Sequence, residues 1–112
     1  MMKNISLLLI CVAIAGAVSG TALADAAHTY ELTYRDGKFS PQTIDVPADT
    51  KFRLAVTNAD AKPMEFESSD LNREHVITAG ATWRGFIGPL DAGQYSYFND
   101  FDRAAKGQIV AK

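Results

Sequence analysis

The side chains of this chain with chemical potential lie in two short segments. The first is Pro63-Met64-Glu65-Phe66-Glu67 and the second is Tyr95-Ser96-Tyr97-Phe98-Asn99-Asp100-Phe101-Asp102. Residues two apart on a strand point to the same face, so Glu65 and Glu67 are expected to project together, with Cα atoms about 6.5–7 Å apart. Two carboxylates held within about 6 Å repel by about 3 kcal/mol at an effective dielectric of about 20, and a bound cation or a paired arginine relieves that cost. Asp100 and Asp102 form a second pair at the same spacing. Met64 and His75 add one thioether and one imidazole. The candidate metal ligands are therefore Glu65, Met64, Glu67, Asp100, Asp102 and His75. A set dominated by oxygen donors suits Fe(II), Fe(III), Mn(II) or Cu(II) better than Cu(I) or structural zinc.

Each of these residues also has a structural reading. Glu65 and Glu67 fit a solvated strand face paired with Arg53, Arg73 or Arg84. Asp100 and Asp102 fit turn formers, because Asx side chains bond the backbone two residues on. Met64 fits a buried packing residue, and strand periodicity points it away from Glu65 unless the chain bends there. Trp83, Tyr95 and Tyr97 alternate as core residues do. No Ser-His-Asp or Cys-His arrangement and no glycine-rich phosphate loop is present, so hydrolytic catalysis has no support and no catalytic residue is assigned.

The elements that position these groups read as strands. Tyr30, Leu32 and Tyr34 alternate with Thr29, Glu31 and Thr33 before an Asp36-Gly37 turn signal. Ile44 and Val46, then Phe52, Leu54 and Val56, repeat the pattern, and Pro47 edges the earlier strand. Further strands are expected over 64–68, 74–77, 81–87, 93–99 and 107–111, separated by Gly80, Gly88-Pro89 and Ala92-Gly93. No window holds a helical period over ten residues. Seven or eight short strands at this spacing indicate a β-sandwich.

The N-terminus reads differently. Lys3, the apolar run Leu7–Val18 and Ala22-Leu23-Ala24 have the order of a secretory signal peptide, so residues 1–24 are expected to be removed and 25–112 to form one domain. Ile10 is too bulky before Cys11 for a lipoprotein anchor. Cleavage removes Cys11, the sole cysteine of the chain, and leaves neither a disulfide nor a thiolate ligand. The full chain carries 11 Lys and Arg against 13 Asp and Glu. That mild acidity argues against nucleic acid or an anionic membrane as partner, and no membrane insertion is expected after cleavage.

The segment Phe39-Ser40-Pro41-Gln42-Thr43-Ile44-Asp45-Val46-Pro47-Ala48-Asp49-Thr50 resembles the opening strand and turn of cupredoxins, with Asp49 where that family usually has glycine. Met64-Glu65-Phe66-Glu67, Arg73-Glu74-His75, Gly88-Pro89-Leu90, Gly93-Gln94-Tyr95 and Gly107-Gln108-Ile109-Val110 resemble the EfeO-type cupredoxin-like domain of bacterial periplasmic iron-uptake proteins. The likeness runs over nearly all of residues 28–112. It implies an all-β fold, a cupredoxin-like Greek-key β-sandwich of seven to eight strands.

The departures from that pattern bear on function. Blue-copper members place Cys, His and Met in the loop between the last two strands and a further His upstream. Here the loop Phe98–Lys106 holds none of the three, and Met64, after Pro63, stands at the upstream position. A His2Cys copper site cannot be assembled from these residues. What the resemblance implies instead is a periplasmic protein that binds copper or iron and serves an inner-membrane iron permease or another periplasmic uptake component. A metal-dependent role in iron oxidation would need the bound ion, since the side chains carry no redox chemistry. A metal-free adaptor on the cupredoxin frame, and copper delivery or sequestration, are the alternatives.

Overall fold

The computed structural model describes residues 27–112. The expected leader, residues 1–24, lies outside the described residues. Nine strands run in order: β1 (Thr29–Arg35), β2 (Lys38–Ser40), β3 (Thr43–Val46), β4 (Phe52–Asn58), β5 (Met64–Ser68), β6 (Arg73–Ile77), β7 (Thr82–Ile87), β8 (Gly93–Asn99) and β9 (Asp102–Ala111). They form a four-stranded sheet, β2-β1-β4-β7, and a five-stranded sheet, β3-β9-β8-β5-β6. The all-β sandwich expected from the alternation is therefore present, with one strand more than the periodicity marks.

The additional strand is β2, too short at three residues to show a period. It exists because Asp36 and Gly37 both take positive φ, 52° and 74°. Two such residues make the tight hairpin turn whose twist matches antiparallel strands, and Arg35 then faces Lys38 across it. The β4–β5 loop holds this turn, as both oxygens of Asp60 accept the Asp36 N–H, at 2.9 and 3.2 Å.

Alternation along the strands fills one core. Leu32, Leu54, Val56, Phe66, Tyr97 and Ile109 are fully buried, and Trp83 and Tyr95 pack against them from the margin. Burying each large apolar side chain contributes about 1.5–3 kcal/mol. Phe66 lies at the centre of an aromatic stack, 5.2 Å from Tyr97 and 6.2 Å from Trp83 between ring centres. Its neighbours Glu65 and Glu67 consequently face outward, because a strand that commits one face to the core must turn the other to solvent.

The loop expected over residues 98–106 is mostly strand. Only Asp100 and Phe101 separate β8 from β9, and the register jumps from Phe98↔Lys106 to Asn99↔Asp102. The three residues Arg103–Ala105 are thereby left without β8 partners, a bulge that bends β9 as it leaves the turn. Sequence alternation misses this segment because a bulge breaks the period of two.

Candidate metal centre

β5 and the β8–β9 turn meet through Asn99. This residue is 3% exposed, and its Oδ1 accepts hydrogen bonds from Glu65 N–H at 2.9 Å and Phe101 N–H at 3.0 Å. Asp100 N–H in turn donates to the Glu65 carbonyl at 2.9 Å. The amide side chain thus completes the ladder where β5 and β8 pair directly only at Phe66↔Asn99 and Glu67↔Phe98. The Asx pattern expected of Asp100 and Asp102 is carried by Asn99, whose type and place in the turn are the one sequence sign of its role.

This clamp sets Asp100 beside the outward carboxylates of β5. Glu65, Glu67 and Asp100 are each half-buried and offer one oxygen apiece, all within 4.8 Å of one another. Oxygens on opposite sides of a cation with metal–oxygen bonds of about 2.0–2.6 Å are separated by this order of distance, so the three can share one ion. Partial burial holds the Glu65 carboxyl above its ordinary range, helped by its hydrogen bond with Asp100 and by the negative charges of Glu74, Asp100 and Glu67. A bound cation would act against this shift, because it favours the ionised carboxylate.

Asp100 has one cation nearby. The Arg103 guanidinium approaches its Oδ1 at 2.6 Å and lies 5.2 Å over the Phe98 ring. That oxygen nevertheless lacks a well-directed hydrogen bond. Because Arg103 is 72% exposed, the pair is worth little in water and leaves the oxygen open to a stronger partner. Arg53, Arg73 and Arg84 do not pair with Glu65 or Glu67: among the described residues the ion pairs are Arg103–Asp100 and Lys112–Asp45.

The other expected ligands lie elsewhere. Met64 is fully buried on the core face of β5, opposite Ile77 of β6. Asp102 is exposed at the start of β9 and turns toward Gly37, where with Tyr34, Asp60, Lys62 and Phe101 it lines a separate cavity of about 260 Å³. His75 takes the inner side of β6, stacked on Trp83 at 4.2 Å with 23° between the rings. Burial, then the Arg73 charge, pushes its imidazole below the usual range, so it is neutral at pH 7. Its Nε2 is buried without a partner. Period two separates it from Glu74, which pairs with Glu67 across the strands.

The comparisons with known proteins agree with the architecture. The cupredoxin-like domain family matches residues 7–111. This chain belongs to the cupredoxin-like domain family. A relative within reach is the uncharacterized protein RP394 of Rickettsia prowazekii (strain Madrid E), 40% identical over 81 residues, which are 71% of this chain and 65% of that protein. The cupredoxin-like chain thus spans less than two thirds of that relative's length.

Among solved structures, amicyanin from Paracoccus versutus superposes with a TM-score of 0.59 at 17% identity, over 80% of this chain and 83% of that one. The metal-binding domain of the Cu(I)-exporting P-type ATPase CopA of Streptococcus pneumoniae D39 reaches 0.70 at 10% identity, over 79% and 88%. A purple cupredoxin from Nitrosopumilus maritimus gives 0.57 at 19% identity, over 79% and 100%. Identities this low establish the fold alone. The thiolate-imidazole copper site associated with cupredoxins does not fit this chain, since the β8–β9 turn supplies Asn, Asp and Phe, and Asn99 is engaged by the backbone.

Proposed function

We propose that this cupredoxin-like protein is an exported, periplasmic metal-binding protein of the EfeO type that serves iron uptake through an inner-membrane permease. Glu65, Glu67 and Asp100 would hold the ion, iron first and copper second. The convergence of their three oxygens within 4.8 Å on a backbone clamp is the observation that supports this reading. An all-carboxylate set favours hard cations, and the single thioether of the described residues, Met64, is sealed in the core, which leaves a Cu(I) carrier role without a soft ligand. Bound iron or copper would supply the one-electron chemistry that the side chains lack.

Titration of the exported protein with Fe(II) under anaerobic conditions, and separately with Cu(II), tests the site. Glu65→Gln removes a charge at nearly constant shape and is expected to weaken binding at least about tenfold, on the scale seen when a metal ligand's support is lost, without unfolding the sandwich. Equal affinity in the variant and the parent would reject the cluster. Phe101, 57% exposed beside Asp100, favours a second reading, a metal-free adaptor that presents this turn to a permease or periplasmic partner. In that case neither metal would give heat, and Phe101→Ala, but not Glu65→Gln, would abolish partner binding.

A further inference from the structure

The two outer faces of the sandwich carry opposite charge. On the four-stranded sheet, the alternation that buries Leu32, Tyr34, Phe39 and Leu54 turns Arg35, Lys38, Arg53 and Arg84 outward. Lys51 stands two residues before Arg53, and all five cations are exposed. Glu31, opposite Ala55, is the one acidic strand residue of that face. The outer side of the five-stranded sheet instead holds Asp45, Glu65, Glu67, Glu74 and Asp100 against Lys106, Arg103 and Lys112, and the last two are paired with Asp100 and Asp45. Among the described residues, no carboxylate lies within ion-pair distance of any of the five cations on the basic face.

Two of these cations gather on an aromatic ring. Lys51 Nζ and the Arg53 guanidinium lie 4.9 and 4.6 Å from the centre of Phe86, which is 45% exposed and faces Arg53 across the β4–β7 ladder. Arg53 N–H donates to the His28 carbonyl at 2.9 Å, so the chain preceding β1 departs from this corner.

We propose that the outer face of the four-stranded sheet docks on an anionic phospholipid layer through Arg53, Arg84, Lys51, Arg35 and Lys38, with Phe86 at the contact rim. Each cation near such a surface raises partitioning about fivefold. The attraction decays over a Debye length of about 10 Å, which is also about the spacing between packed sheets, so the acids on the far face oppose it only weakly. The net negative charge of the chain conceals this because it averages over both faces. In this orientation Glu65, Glu67 and Asp100 point away from the membrane.

Sedimentation of the exported, purified protein with vesicles decides the matter. Vesicles containing phosphatidylglycerol are expected to carry the protein down at about 0.1 M salt, where the Debye length is about 10 Å, and vesicles of phosphatidylcholine alone are not. Binding should be lost near about 1 M salt, where the Debye length shrinks to about 3 Å. The double variant Arg53→Gln with Arg84→Gln should bind about 25-fold more weakly, from two fivefold steps. Lys112→Gln removes a cation that pairs with Asp45 on the opposite sheet and should leave binding unchanged, with thermal unfolding confirming that both variants are folded. A comparable loss in Lys112→Gln would show that net charge and not this face governs binding, and would overturn the proposal. Absence of sedimentation with phosphatidylglycerol would overturn it as well, including the case in which polyglutamate binds and assigns the face to an acidic protein.

Discussion

At the scale of single residues, Glu65 and His75 are displaced from their ordinary titration in ways that predict opposite pH responses. The Glu65 carboxyl is raised from 4.5, so between that value and its folded pKa the native state binds more protons than the unfolded chain. Its contribution to stability therefore fades as pH rises through that window, while metal binding, which requires the ionised form, strengthens. His75 is lowered from 6.5, so below that value the unfolded chain takes up a proton that the folded protein refuses. Stability should fall as pH drops from 6.5 toward the lowered pKa. Chemical denaturation across this range checks the slope, and in His75→Phe, which keeps a ring against Trp83, the His75 component of the slope should vanish.

At the scale of elements, the site depends on how β5 is joined to the β8–β9 turn. Asn99 is the joint, since its buried Oδ1 takes two backbone N–H groups that the interrupted ladder leaves over. Asn99→Leu keeps the volume and strands both donors, which is expected to cost about 1–3 kcal/mol for each donor left buried without a partner. The same substitution releases Asp100 from Glu65, so metal affinity should fall although no ligand has changed. Urea denaturation together with a metal titration measures the two effects. A stability loss with undiminished affinity would separate the clamp from the site. The nine strands also show where local reading ends: eight announce themselves by alternation, whereas β2 depends on the φ values of Asp36 and Gly37, and the first half of β9 on a bulge that interrupts the period.

At the scale of the whole molecule, a ligand that binds only the folded sandwich must stabilise it. At a free metal concentration about 100 times Kd the gain is about 2.7 kcal/mol, and for a domain of this size each kcal/mol raises Tm by about 4–8 °C. Calorimetry with the proposed metal should accordingly show a Tm higher by at least about 10 °C in the parent, with a smaller rise in Glu65→Gln. An unchanged Tm in the parent under saturating Fe(II) and Cu(II) would favour the metal-free reading. The separation of basic and acidic faces belongs to this scale too, because it arises only when two sheets turn their outer residues in opposite directions.

The sequence by itself determined the all-β class, the core alternation, the lack of Cys, His and Met over residues 98–106 and the shared face of Glu65 and Glu67. All of these follow from residue type or from the period of two, which are local properties. Only the tertiary structure decided which distant groups join that face. It brings Asp100 to Glu65 and Glu67, while Met64 enters the core, His75 stacks inside on Trp83, and Asp102 turns toward Gly37. The reason is that pairing register, a bulge and a single buried amide set the approach of β5 to the β8–β9 turn, and none of these is expressed in the spacing of residues along the chain.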